Sequence, residues 1–109
     1  MKKFIDAFNG IKIAFTHKAV IIQAILGICA IIGGLIIQLD HYEWLAFVIC
    51  ISIVIMCEII NTAIEKIGNY LNNNYDENIK TIKDLASAAV LISCIGALVI
   101  CALCVMRRI

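Results

Sequence analysis

The sequence predicts an all-α integral membrane protein, with an N-terminal amphipathic surface helix followed by three transmembrane helices. Three observations carry that expectation. The 109-residue chain is 63% hydrophobic, 16% charged and free of proline, whereas a soluble domain is nearer half apolar. Its mean hydropathy is +1.02. Three runs are each long and apolar enough to cross a bilayer as a helix, which takes about 20 residues. The length allows one membrane domain, 1–109. A net charge of +1 provides no basic field for nucleic acid.

The first segment, 1–18, is the surface helix. Phe4, Phe8, Ile11 and Phe15 recur at helical spacing and share one face. Asp6, Asn9 and Thr16 lie on the other side, with Lys12 at the boundary. Such a helix lies in the membrane surface with its apolar face down. Asp6, and the lack of a small-residue cleavage site after the first apolar run, argue against a signal peptide.

The spans follow at 19–39, 44–67 and 85–106. In the first, AVIIQAILGICAIIGGLIIQL, only Gln23 and Gln38 are polar. The second opens at Trp44, apolar at first and polar-striped later. The third carries Ser87 and Ser93 as its hydroxyls. Small residues such as Gly27, Ala30, Gly34, Ala86, Ala89 and Ala97 let helices approach closely in lipid. All six cysteines fall inside apolar runs, where they read as small packing residues. Cys101-Ala-Leu-Cys104 has ligand-like spacing, but no second pair or nearby histidine completes a metal site.

Orientation follows from the basic residues. Lys2, Lys3, Lys12 and Lys18 precede the first span, and Lys66, Lys80 and Lys83 surround the second connection. The first connection, Asp40-His41-Tyr42-Glu43, has none. The lysine-rich side is therefore expected to be cytoplasmic, as is the N-terminus, in the cytoplasmic membrane. Arg107 and Arg108 then fall outside, against the rule.

The second span raises the question of function. Glu58, Asn61, Thr62, Glu65 and Asn69 fall within an arc of about 100° when positions advance by the helical period. Ile60, Ala63, Ile64 and Ile67 take the opposite side. An acidic residue at mid-membrane costs about 2.5–3.5 kcal/mol on insertion scales, so it is normally hidden in a bundle or cavity. Counting from Trp44 at about 1.5 Å per residue, Glu58 lies about 21 Å deep and Glu65 about 31 Å. The stripe thus runs from just inside the hydrocarbon to cytoplasmic water, where a lipid head group meets a soluble cofactor.

A second stripe faces the same compartment. If the third helix begins near Asp76, a plausible N-cap, then Lys80, Lys83, Asp84 and Ser87 share a face. Charges at this spacing are also ordinary on a solvated helix end. Set beside the carboxylates of the second span, they suit a metal-bound polyphosphate. No glycine-rich phosphate loop is present. Two function classes compete: an enzyme acting on lipid and nucleotide, and a small transporter using Glu58 as an ion carrier. A structural membrane protein, its stripe bonding neighbouring helices, is a third.

Glu58-x-x-Asn61-x-Ala63-Ile64-Glu65, then about 17 residues, then Lys83-Asp84-x-Ala86-Ser87-Ala88-Ala89-Val90-Leu91, resembles the prokaryotic diacylglycerol kinase family, which includes undecaprenol kinases. The resemblance covers nearly the whole chain. It implies a homotrimer whose shared active sites lie at the cytoplasmic surface. It implies an enzyme that transfers the ATP γ-phosphoryl group, with Mg²⁺, to the primary hydroxyl of a lipid, undecaprenol before diacylglycerol. It gives Glu58 the role of general base and Glu65 that of ligand to the metal on ATP. Lys83 and Asp84 match the pair that contacts the nucleotide. Asn74, Tyr75 and Asp76 match the loop that touches ATP. Ser87 matches a position near the lipid, and Asn61 a polar support beside the base. One position departs: where the family carries a glutamate that shares the metal site, this chain has Lys18. Either Lys18 meets the ATP phosphates directly, or the chain is a catalytically impaired relative with a structural role. The surviving base, second glutamate and Lys-Asp pair favour activity.

Overall fold

The computed structural model describes residues 2–71, 74 and 76–109. These residues form four helices: α1 (Lys2–Ala14), α2 (Lys18–Ile37), α3 (His41–Leu71) and α4 (Glu77–Met106). The last three are each long and apolar enough to cross a membrane, and most of their large apolar side chains face outward. In water such exposure would be ruinous, whereas in lipid it is neutral. The chain is therefore a multi-pass membrane protein. On α1, Phe4, Phe8 and Ile11 are exposed. Phe15 follows it in the short turn before α2 and is exposed too.

Helix α3 is the axis of the protein. It packs along α4 and, less extensively, against α2. Its buried residues are Glu43, Phe47, Val54, Glu58, Asn61 and Gly68. Their spacing keeps one face inward for the whole helix. The apolar half of that face meets Leu39 and Cys104, with Ala30, Ile37, Trp44, Ile100 and Cys101 around them. Trp44 and Phe47 meet edge to face, centroids 6.1 Å apart, a favoured aromatic geometry.

The α2–α3 connection is built tightly. Gln38 adopts a left-handed conformation, φ 59° and ψ 65°, and ends α2 by donating its N–H to the Gly34 carbonyl. Leu39 donates to the same carbonyl at 3.1 Å and folds back over Gly34. A Cβ at Gly34 would stand 2.7 Å from Leu39 Cδ1 and 3.0 Å from Trp44 Cη2. Gly34→Ala is therefore expected to destabilise the protein by about 1–3 kcal/mol, the usual cost of overpacking a core. Unfolding in a denaturing-detergent titration measures it.

Asp40 and Glu43 then form a reciprocal cap at the start of α3. Asp40 Oδ1 accepts from the Glu43 N–H at 2.9 Å, and Glu43 Oε1 accepts from the Asp40 N–H at 3.0 Å. Arg108, arriving from the far end of the chain, donates to both Glu43 oxygens, at 2.6 and 2.7 Å. It also donates to the carbonyls of Ile37, Gln38 and Cys104. One guanidinium thus joins the ends of α2 and α4 to the start of α3. Arg107 pairs with Asp40 at 3.1 Å. The two arginines that stood against the charge count are neutralised by the acidic connection beside them.

Candidate functional site

The polar stripe occupies the other end of the inward face of α3. Glu58 and Asn61 are buried, at 6% and 8% exposure. Each lies where the periodicity of Phe47 and Val54 continues, so the same face changes from apolar to polar without turning outward. Thr62 donates its hydroxyl to the Glu58 backbone carbonyl at 2.9 Å, which spares it a partner elsewhere. Asn61 Nδ2 donates to Glu65 Oε1 at 3.3 Å. The remaining Asn61 oxygen is buried with no hydrogen-bond partner among the described residues. Such an orphan acceptor is costly and leaves a hydrogen-bonding position open on the stripe. Glu65 and Asn69 are exposed, so the stripe runs from a buried carboxylate to an accessible one about two turns, roughly 10 Å, away.

Helix α4 supplies the cation. It begins where the sequence places it: Asp76 caps the helix, accepting from the N–H groups of Asn78 at 2.9 Å and Ile79 at 3.1 Å. That start sets the register of Lys80, Lys83, Asp84 and Ser87. Lys83 is half-buried and reaches across to α3, donating to Asn69 Oδ1 at 2.6 Å. Asp84 points elsewhere and pairs with Lys80 at 2.6 Å. Both partners of that pair are well exposed, so it adds only a few tenths of a kcal/mol, about 0.3–0.5. Neighbouring Lys83 and Asp84 thus differ: one lies on α3, the other on its own helix. Ala86 is buried behind Lys83, and Ser87 is exposed.

Other predicted residues are less tied to this cluster. Lys18 is the first residue of α2, exposed, and follows His17, whose extended backbone caps the helix without a side-chain bond. Asn74 is exposed between α3 and α4. Tyr75 lies outside the described residues. Gly68 was not singled out in the sequence, yet it is buried against Lys83. The available signal was an isolated glycine inside a helical pattern, which costs helix stability without a local reason.

No group of three or more His, Cys, Asp or Glu side chains among the described residues is placed to hold a metal ion. Glu65, exposed and accepting a hydrogen bond from Asn61, is a single accessible carboxylate on the stripe; a Mg²⁺ ion, which keeps most of its waters, can be held by as few as one or two carboxylates.

The sequence has clear relatives. The family model described as prokaryotic diacylglycerol kinase matches residues 6–105. Undecaprenol kinase from Bacillus subtilis (strain 168) is 31% identical over 104 residues, covering 91% of this chain and 85% of that protein. This chain's buried Glu58 and Asn61, the Glu65 beyond them and Lys83 from the next helix thus sit within a match that spans nearly the whole sequence. The chain belongs to the prokaryotic diacylglycerol kinase family.

Proposed function

We propose that this protein is an ATP-dependent lipid kinase that phosphorylates the primary hydroxyl of undecaprenol in preference to diacylglycerol. The observation that carries the reading is the polar stripe of α3, on which a buried carboxylate, Glu58, is followed by the exposed Glu65 and by the Asn69–Lys83 contact. Phosphoryl transfer needs little covalent help; it needs a base, alignment and charge neutralisation. Glu58 accepts the hydroxyl proton as the oxygen attacks the γ-phosphorus, while the bond from that phosphorus to the β,γ-bridging oxygen breaks and ADP leaves. Asn61 holds Glu65 and offers its unpaired oxygen to the acceptor head group. Lys83 meets the phosphates, with Asp84, Asp76, Asn74 and Tyr75 around the nucleotide and Ser87 toward the lipid. Mg²⁺, when bound through Glu65, would neutralise phosphate charge. The bilayer supplies alignment, because it holds the lipid hydroxyl near the interface.

The similarity to an undecaprenol kinase supports the choice of acceptor. In this reading the lysine-rich end faces the cytoplasm, and three copies share active sites. Initial rates of label transfer from γ-labelled ATP to undecaprenol and to diacylglycerol, side by side in detergent, test it. Faster labelling of undecaprenol is expected; faster labelling of diacylglycerol reassigns the acceptor. No transfer to either lipid, with proton-driven uptake of a solute instead, makes Glu58 an ion carrier.

Lys18 makes a separate prediction. Its ammonium takes over part of the metal's work on the phosphates. Lys18→Glu is expected to shift the Mg²⁺ dependence of turnover, because it replaces a fixed cation with a potential ligand. An unchanged Mg²⁺ titration removes Lys18 from the nucleotide site.

A further inference from the structure

Gly68 sits near the end of a 31-residue helix, a position where alanine is the better helix former. No glycine among the described residues has positive φ, so backbone conformation does not require it. The neighbouring helix does. A Cβ built on Gly68 stands 2.9 Å from Lys83 Cε and 3.0 Å from Ile79 Cγ2. The lysine stem therefore lies across bare backbone of α3, and its ammonium ends on Asn69 Oδ1 at 2.6 Å. A free lysine spreads over many rotamers, and fixing one costs entropy. Here a groove and an acceptor together fix it. The acceptor is a neutral amide. A carboxylate in its place would form a charge-assisted bond about twice as strong, which an incoming anion would have to break.

We infer that Gly68 and Asn69 are positioning residues: they form a seat that holds the Lys83 ammonium on the Glu65 face of α3 and releases it to a phosphate oxygen of the nucleotide. Asn69 lies four residues after Glu65, so the seated ammonium is on the same stripe, one turn farther along. The position of the cation is then set by α3, although the lysine belongs to α4. The identity of the anion rests on the kinase reading; the seat does not.

Gly68→Ala crowds the far end of the flexible Lys83 side chain at 2.9 Å and the branched Ile79 Cγ2 at 3.0 Å, so the lysine is displaced most and Ile79 gives by a few tenths of an ångström. Its expected effect is a rise of roughly tenfold in KM for ATP, the loss of about one well-placed charge-assisted bond, with KM for the lipid unchanged. In a Lys83→Met background the same substitution should leave KM for ATP where Lys83→Met alone put it, since the two act through one contact. An unchanged KM in Gly68→Ala, or an equal rise with and without Lys83, overturns the seat. A second measurement needs no turnover: the rate at which a soluble N-hydroxysuccinimide ester acylates Lys83 in nucleotide-free protein, read by mass spectrometry against Lys12. Gly68→Ala should speed Lys83 acylation severalfold. An unchanged rate overturns the seat even in an active kinase. A wild type that labels no lipid overturns the kinase reading, and the acylation rates still decide the seat.

Discussion

Glu58→Gln is expected to lower lipid phosphorylation by about 10²–10⁴-fold, the range that a positioned general base contributes, while nucleotide binding stays near normal. The substitution keeps the size of the side chain and its capacity to hydrogen-bond, and removes only basicity. Glu58 is buried, so an amide there carries no new desolvation cost and the fold is not at risk. Nucleotide binding survives because the residues assigned to it, Glu65, Lys83 and Asp84, lie about two turns nearer the helix end or on α4. Glu58→Asp retracts the carboxylate by one methylene and should retain a fraction of the rate. Steady-state turnover, set beside binding of a fluorescent nucleotide analogue, separates the two effects. Near-normal turnover in Glu58→Gln would remove it as the base.

Arg108→Ala is expected to cause the largest loss of stability of any single change at the opposite end of the protein, lowering the unfolding midpoint by on the order of 10 °C. Five hydrogen bonds disappear together, to two Glu43 oxygens and the carbonyls of Ile37, Gln38 and Cys104. Glu43, at 5% exposure, then keeps its charge without its principal partner, the costliest way to break such a pair. Pairing the change with Glu43→Gln should recover part of the loss, because the stranded charge goes with it. Arg107→Ala serves as the contrast. Its side chain is 63% exposed; it pairs with Asp40, 45% exposed, at 3.1 Å and only at 3.4 Å with Glu43, which Arg108 still holds, so its midpoint should move far less. Thermal unfolding in mild detergent compares the three, and equal midpoints for Arg107→Ala and Arg108→Ala would refute the special place of Arg108.

Much of this protein can be read from local pattern, because a membrane makes local pattern strict. The spans are apolar runs of the right length: 44–67 and 85–106 lie within α3 and α4, while 19–39 runs two residues past the end of α2 at Ile37. Asp76 reads as a cap and is one, since capping depends only on the next three residues. The Lys80–Asp84 pair follows from helical spacing alone. The stripe from Glu58 to Asn69 is likewise a matter of period. What period does not show is which neighbour covers the stripe. The burial of Glu58 and Asn61 and the landing of Lys83 on Asn69 depend on how α4 lies along α3. Gly68 matters only because of that crossing, and as a lone glycine it carried little signal. Arg108 and Glu43 are 65 positions apart, beyond any local rule, although both sat at ends predicted to lie on one side. The second span was read as 44–67, while α3 continues to Leu71. Hydrophobicity marks where the lipid ends, not where the helix ends.

In the proposed reaction, the buried Glu58 carboxylate on α3 takes the proton of a lipid alcohol as the ATP γ-phosphoryl group passes to its oxygen. The most direct measurement is label transfer from γ-labelled ATP to undecaprenol, by wild type and Glu58→Gln at matched nucleotide occupancy with Mg²⁺ present. Labelled undecaprenyl phosphate is expected from the wild type and almost none from Glu58→Gln. Equal labelling by the two proteins, or none by the wild type with either undecaprenol or diacylglycerol, would contradict it.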